Sequence, residues 1–102
     1  MIELNSKQRK FLEKEAHGLS PIVIIGGGGI SEGLIEMVNN SLFHHELIKI
    51  KFNDYKDEKT ELTEDICDKT NATLVRIIGN VAILYRPSEK DENRRYPKVI
   101  KF

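Results

Sequence analysis

The chain has 102 residues, 39% of them hydrophobic, with 16 Lys and Arg against 16 Asp and Glu, one Cys and no Trp. That length suits one small domain around a single core, and a lone Cys67 excludes an internal disulfide. The longest apolar run, residues 22–25, is far short of a membrane-spanning helix, Cys and His show no zinc-finger spacing, and no leader-like segment opens the chain, so a reduced, cytoplasmic protein is expected.

In chain order, Asn5 or Ser6 caps a helix reaching about His17, with Phe11, Leu12, Ala16 and Leu19 as its apolar stripe. Lys7, Lys10 and Lys14 follow one another at i, i+3 and i+7 and share a face of that helix. Gly18 stops it, and Pro21 leads into Ile22, Val23, Ile24 and Ile25. This β-branched run lacks alternation, which predicts a short strand buried on both faces. Four glycines follow, Gly26, Gly27, Gly28 and Gly29, and then a capped helix start at Ser31 and Glu32. The second helix is expected to reach about Phe43, with Leu34, Ile35, Val38 and Leu42 facing a sheet. Residues 46–52 alternate: Ile48, Ile50 and Phe52 occupy one face, Leu47, Lys49 and Lys51 the other, as in a strand with one partly solvated side. Residues 57–70 read as a third helix with Leu62, Ile66 and Thr70 inward and Cys67 beside them as a small core residue. Residues 73–78 and 81–86 are two strands joined by the tight turn Gly79 and Asn80. Beyond Pro87 the composition turns polar, so residues 88–102, Arg94 and Arg95 included, are expected to form a mobile tail outside a domain of residues 1–87.

The order helix, strand, helix, strand, helix, strand, strand predicts an α/β fold of the two-layer α+β type. Its first two strands are parallel neighbours joined by a right-handed crossover, and the final hairpin completes a mixed four-stranded sheet beside three helices.

Charge is balanced in total but not along the chain. Between residues 53 and 68, seven carboxylates stand against Lys56 and Lys59, a local charge of −5, and the rest of the chain therefore carries +5. Most of these acids belong to the outer face of the third helix, while Lys7, Lys10 and Lys14 read singly as the solvated face of an amphipathic helix and Lys49 and Lys51 equally well as charge covering a sheet edge.

The glycine run lies between a strand and a helix start, where backbone amides can approach an anion closely. A triphosphate-binding loop would need Lys and then Ser or Thr after its last glycine, whereas Leu34 and Ile35 follow Gly33. The dinucleotide fingerprint fails as well, because its third glycine position falls on Ser31 or Glu32. The shorter Gly-x-x-Gly pattern fits Gly26 to Gly29, and in KH modules that pattern clamps a nucleic-acid backbone. His44, His45 and Glu46 suggest a metal only weakly, since neighbours at a helix end point in different directions. Tyr85 and Phe52 read as core residues. No paired acid and base and no Ser/His/Asp ordering stands out, so neither an enzyme, a cofactor nor a small-molecule substrate is expected.

Three ordered segments carry a resemblance: residues 26–33 (GGGGISEG), 44–51 (HHELIKIK) and 81–87 (VAILYRP), with Lys7, Gln8 and Arg9 near the start. Together they resemble the YhbY family, the bacterial form of the CRM (chloroplast RNA splicing and ribosome maturation) domain, over about residues 4–87. The resemblance implies a fold similar to the C-terminal domain of bacterial translation initiation factor three with an added N-terminal helix. It also implies a role in binding RNA of large ribosomal subunit precursors. On that reading the RNA-binding residues are Gly26, Gly27, Gly28 and Gly29, with Lys7, Lys10, Lys14, Lys49 and Lys51. One departure is that the loop's middle positions, often polar or basic in relatives, are Gly27 and Gly28 here, so that grip must come from backbone and neighbours. The competing expectation is a protein-interaction module that docks its acidic third helix on a basic ribosomal protein.

Overall fold

The computed structural model describes residues 1–96, and its elements follow the predicted order: α1 (Ser6–Ala16), β1 (Val23–Ile25), α2 (Glu32–His45), β2 (Leu47–Phe52), α3 (Lys59–Thr70), β3 (Thr73–Ile78) and β4 (Val81–Tyr85). Short 3-10 turns at Lys56–Glu58 and Asp91–Asn93 were not anticipated. Local chemistry sets the helix ends. Asn5 and Gln8 form a reciprocal capping box at α1, each side chain accepting the other's backbone N–H at 2.8 Å. Ser31 Oγ accepts the Leu34 N–H at 3.1 Å at the start of α2, and Asn71 in the left-handed conformation closes α3.

The sheet runs β1-β2-β4-β3, with β1 and β2 parallel and the other two pairs antiparallel. β2 and β3 thus run the same way without touching, since the last strand lies between them. One face packs against α2 and α3 through Val23, Ile25, Val38, Leu42, Ile48, Ile50, Phe52, Ile66, Ala82 and Leu84, and this is the expected two-layer core. The N-terminal helix covers the other face through Leu12 and Ala16 against Leu47, Val75, Ile83 and Tyr85. A bulge between Leu74 and Arg76 interrupts the β3–β4 register. Arg9 reaches it from α1, donating from Nη1 to the carbonyls of Leu74 at 2.6 Å and Val75 at 2.8 Å. At the far end of the sheet Arg86 ties α2 to α3, donating to Asn39 Oδ1 at 2.8 Å, the Asn39 carbonyl at 3.0 Å and the Thr70 carbonyl at 2.6 Å. Among the described residues no helix is long and apolar enough to cross a membrane.

Three expectations are corrected. The run of residues 22–25 is not buried on both faces: β1 is an edge strand in which Val23 and Ile25 face the core while Ile24 is 55% exposed. Glu46 does not begin the second strand but caps α2 with φ 64°, fully buried, and α2 extends to His45. Residues 88–96 do not hang free. Both oxygens of the Glu46 carboxylate are engaged by them, Oε2 accepting the Ser88 N–H at 2.6 Å and Oε1 the N–H groups of Arg95 and Tyr96. The Tyr96 ring meets Phe11 and Tyr85 edge-on, with centroids 6.5 and 6.4 Å away. The rest of the expected tail, residues 97–102, lies outside the described residues.

Candidate nucleic-acid interface

Where β1 ends, the Ile25 carbonyl accepts the N–H groups of Asn53 at 3.0 Å and Asp54 at 3.2 Å, so the glycine loop and the segment after β2 leave the sheet side by side. The loop is a turn closed by the Gly29 N–H donating to the Gly26 carbonyl at 3.0 Å. Tyr55 braces it from below, its hydroxyl donating to the Gly27 carbonyl at 2.8 Å. Gly29 has φ +66°, the left-handed region that favours glycine, and a Cβ there would press on the Tyr55 ring at 3.6 Å. Gly27 and Gly28 form the exposed tip, with φ outside that region and no steric demand for glycine. An acid stands close: a Cβ at Gly26 would lie 3.8 Å from Asp54 Oδ2. With Glu32 in the first turn of α2, the loop is therefore less welcoming to a phosphate than its amides alone suggest.

The cations gather on the face that carries α1. Side chains of directly paired residues point to the same side of a sheet. Register places Ile24, Lys51, Val81 and Ile78 in one row across all four strands, and Lys49, Ile83 and Arg76 in the next. α1 leaves the first row uncovered, with Ile24, Lys51 and Ile78 exposed. Lys10 and Lys14 line a hollow of about 460 Å³ together with Glu13, His17 and Arg76. Next to it, Glu13 and His17 also border a hollow of about 280 Å³ with Lys49, Ile78 and Val81. The structure thus brings Lys10, Lys14, Lys49 and Lys51 onto one face at the end of the sheet from which the glycine loop projects. Lys7 is exposed a turn earlier on α1, away from that end. Lys49 has a second task, since its ammonium donates to the Leu19 carbonyl at 2.9 Å and holds the link between α1 and β1.

Sequence reasoning missed two members of this face. His17 is a helix C-cap, and Arg76 sits on β3, bonded to Glu13 at 3.1 Å. The only signal for Arg76 was a charge amid apolar strand residues; the bulge that decides its side is silent in the sequence. Three groups fall elsewhere. His44 and His45 are exposed at the end of α2, and the described residues contain no grouping of three metal-ligating side chains. Cys67 is buried against Ile66 in the core, its thiol pushed up to about 12 by burial and then by Asp68 and Glu64. The carboxylates Glu61, Glu64 and Asp68 are exposed on α3, on the other side of the sheet from α1, and Asp65 pairs with Lys69 at 3.0 Å.

Known proteins are similar to this chain in sequence and fold. The CRS1 / YhbY (CRM) domain matches residues 4–86. A Haemophilus influenzae protein named "RNA-binding protein" is 43% identical over 91 residues, covering 88% of this chain and 92% of its own length. "Probable RNA-binding protein YqeI" of Bacillus subtilis is 32% identical over 95 residues, 92% of this chain and 99% of its own. The solution structure of the protein SAV1595 from Staphylococcus aureus matches with a TM-score of 0.76 at 35% identity, over 91% of this chain and 98% of that one. The match runs from the capping box of α1 through the glycine loop to the final hairpin, and the chain belongs to the CRS1 / YhbY (CRM) domain family.

Proposed function

We propose that the protein binds RNA through the glycine loop and the basic face beside it, with ribosomal RNA or a precursor of the large ribosomal subunit as target and assembly assistance in the cytoplasm as its role. The names of its relatives support RNA as the partner. The observation that carries the reading is the convergence of Lys10, Lys14, Lys49, Lys51, His17 and Arg76 on one side of the sheet, at the end where residues 26–29 project. Ammonium and guanidinium groups there would follow a phosphate backbone, and the exposed Ile24 and Ile78 would lie against sugar and base edges. Asp54 beside the loop shifts the weight of phosphate contact from the amides to these cations. A fluorescence anisotropy titration against ribosomal RNA fragments tests it. Exchanging Lys10 and Lys14 for Glu should lower affinity by roughly tenfold or more and flatten the salt dependence by about two phosphate contacts. Unchanged affinity and slope would refute the assignment. The Gly27→Asp, Gly28→Asp double variant asks the same of the loop, whose backbone at those positions tolerates side chains.

The exposed carboxylates of α3 favour a second reading, in which that helix docks on a basic ribosomal protein. Reversing Glu61, Glu64 and Asp68 to Lys would then abolish co-sedimentation with ribosomal particles; under the RNA reading co-sedimentation persists.

A further inference from the structure

The Glu46 carboxylate does more than fasten residues 88–96, for it places Arg95 at a third hollow, bordered by residues 19, 20 and 22. This hollow, about 470 Å³, has Leu19, Ile22 and Leu47 as apolar walls and Ser20, His45 and Arg95 as its polar groups. Its lining contains no carboxylate, and the acid beneath it, Glu46, is consumed by the backbone N–H groups of Ser88, Arg95 and Tyr96. An apolar floor with a guanidinium, an imidazole and a hydroxyl at its margin, and no opposing charge, matches a flat heterocycle attached to a phosphate. The volume is in the range of small-molecule sites and suits one nucleotide. The hollow also adjoins the basic face, because the Leu19 carbonyl at its border is the group that accepts from the Lys49 ammonium.

We propose that this hollow receives one unpaired nucleotide of the bound RNA, its base against Leu19, Ile22 and Leu47 and its phosphate on Arg95, and that Glu46 is the positioning residue that holds Arg95 there. The proposal rests on the RNA-binding reading above and adds to it a preference for single-stranded segments flanking the site contacted by the lysines.

Two experiments on the full chain separate the two ideas. In a ¹⁵N NMR titration with AMP, and with ribose 5-phosphate as the base-free control, AMP should shift the amides of residues 19–22, His45 and Tyr96, and ribose 5-phosphate should shift them far less. In RNA titrations, Arg95→Gln should weaken a single-stranded ten-nucleotide RNA by about tenfold and a duplex of equal length by less than about twofold. Glu46→Gln should reproduce that selective loss and speed hydrogen exchange at the Ser88, Arg95 and Tyr96 amides, and the double variant should lose no more than either alone. Equal losses on both RNAs, or AMP shifts confined to the glycine loop, would overturn the hollow even if the Lys10 and Lys14 variant behaves as expected. The converse result, AMP shifts at residues 19–22 with RNA affinity indifferent to Lys10 and Lys14, would uphold the hollow and sink the lysine face.

Discussion

At the scale of single residues, the glycine loop divides its four members by what each must do. Only Gly29 combines a left-handed backbone with a neighbour against its Cβ position, so Gly29→Ala should cost about 1 kcal/mol, whereas Gly28→Ala, with open space around it, should leave the midpoint of urea unfolding nearly unchanged. The neighbouring Asp54 presents the opposite case, a side chain whose charge works against the proposed ligand. Asp54→Asn should raise RNA affinity roughly threefold at low salt and lose that gain at high salt, as expected for an exposed charge; anisotropy titrations at two ionic strengths measure it. The glycines and lysines were legible because their spacing is local. Asp54 was not, since its nearness to the loop follows from two strands ending side by side. Glu46 was hidden more deeply: alternation assigned it to a strand, and its partners lie 42 to 50 residues further along the chain.

Among the elements, α1 is the one whose place depends on specific polar contacts as well as packing. Arg9 fills the bulge of β3, where the carbonyls of Leu74 and Val75 both turn toward α1. Arg9→Ala would leave two carbonyls without their charged donor and should destabilise the fold by about 2 kcal/mol, read as a lower urea midpoint with an unchanged slope. It should also weaken RNA binding, because Lys10 and Lys14 ride on the same helix. Capping signals and periodicity made α1 and α2 readable, periodicity alone made α3 so, and the Gly79 and Asn80 turn did the same for the hairpin. Strand order was readable only in part: the parallel β1–β2 pair and the β3–β4 hairpin follow from the sequence, whereas the place of β4 between β2 and β3 does not. An apolar run such as residues 22–25 predicts a strand but carries no mark of whether it will be central or at an edge, and here the edge position exposes Ile24. Polar composition misled for residues 88–96, whose anchorage comes from the distant Glu46 carboxylate and from Tyr96 against Phe11 and Tyr85 rather than from any pattern of their own.

For the whole molecule, balanced charge resolves into two sides, Lys10, Lys14, Lys49 and Lys51 with α1 on one face of the sheet and the exposed Glu61, Glu64 and Asp68 of α3 on the other. The core between them holds two groups that resist ionisation. Burial pushes the Cys67 thiol from 9.0 up to about 12 and raises the Tyr85 phenol above its usual 10.0, so the native state keeps protons that the unfolded chain releases. Stability from these groups is complete below about pH 9 and is lost as the pH rises beyond it; thermal unfolding followed from neutral into alkaline solution should show a falling midpoint, and Cys67→Ser with Tyr85→Phe should flatten the fall. The sheet order has a further consequence, for the order in which the molecule can be built. Among the described residues, the last strand, β4, is the only partner of β3 and one of two partners of β2. A nascent chain that has emerged only as far as β3 holds a parallel pair with an open edge and a third strand with nothing to join. The native sheet closes only after residues 81–85 leave the ribosome, so folding is a late and nearly all-or-none event, and half-made chains have no basic face to offer.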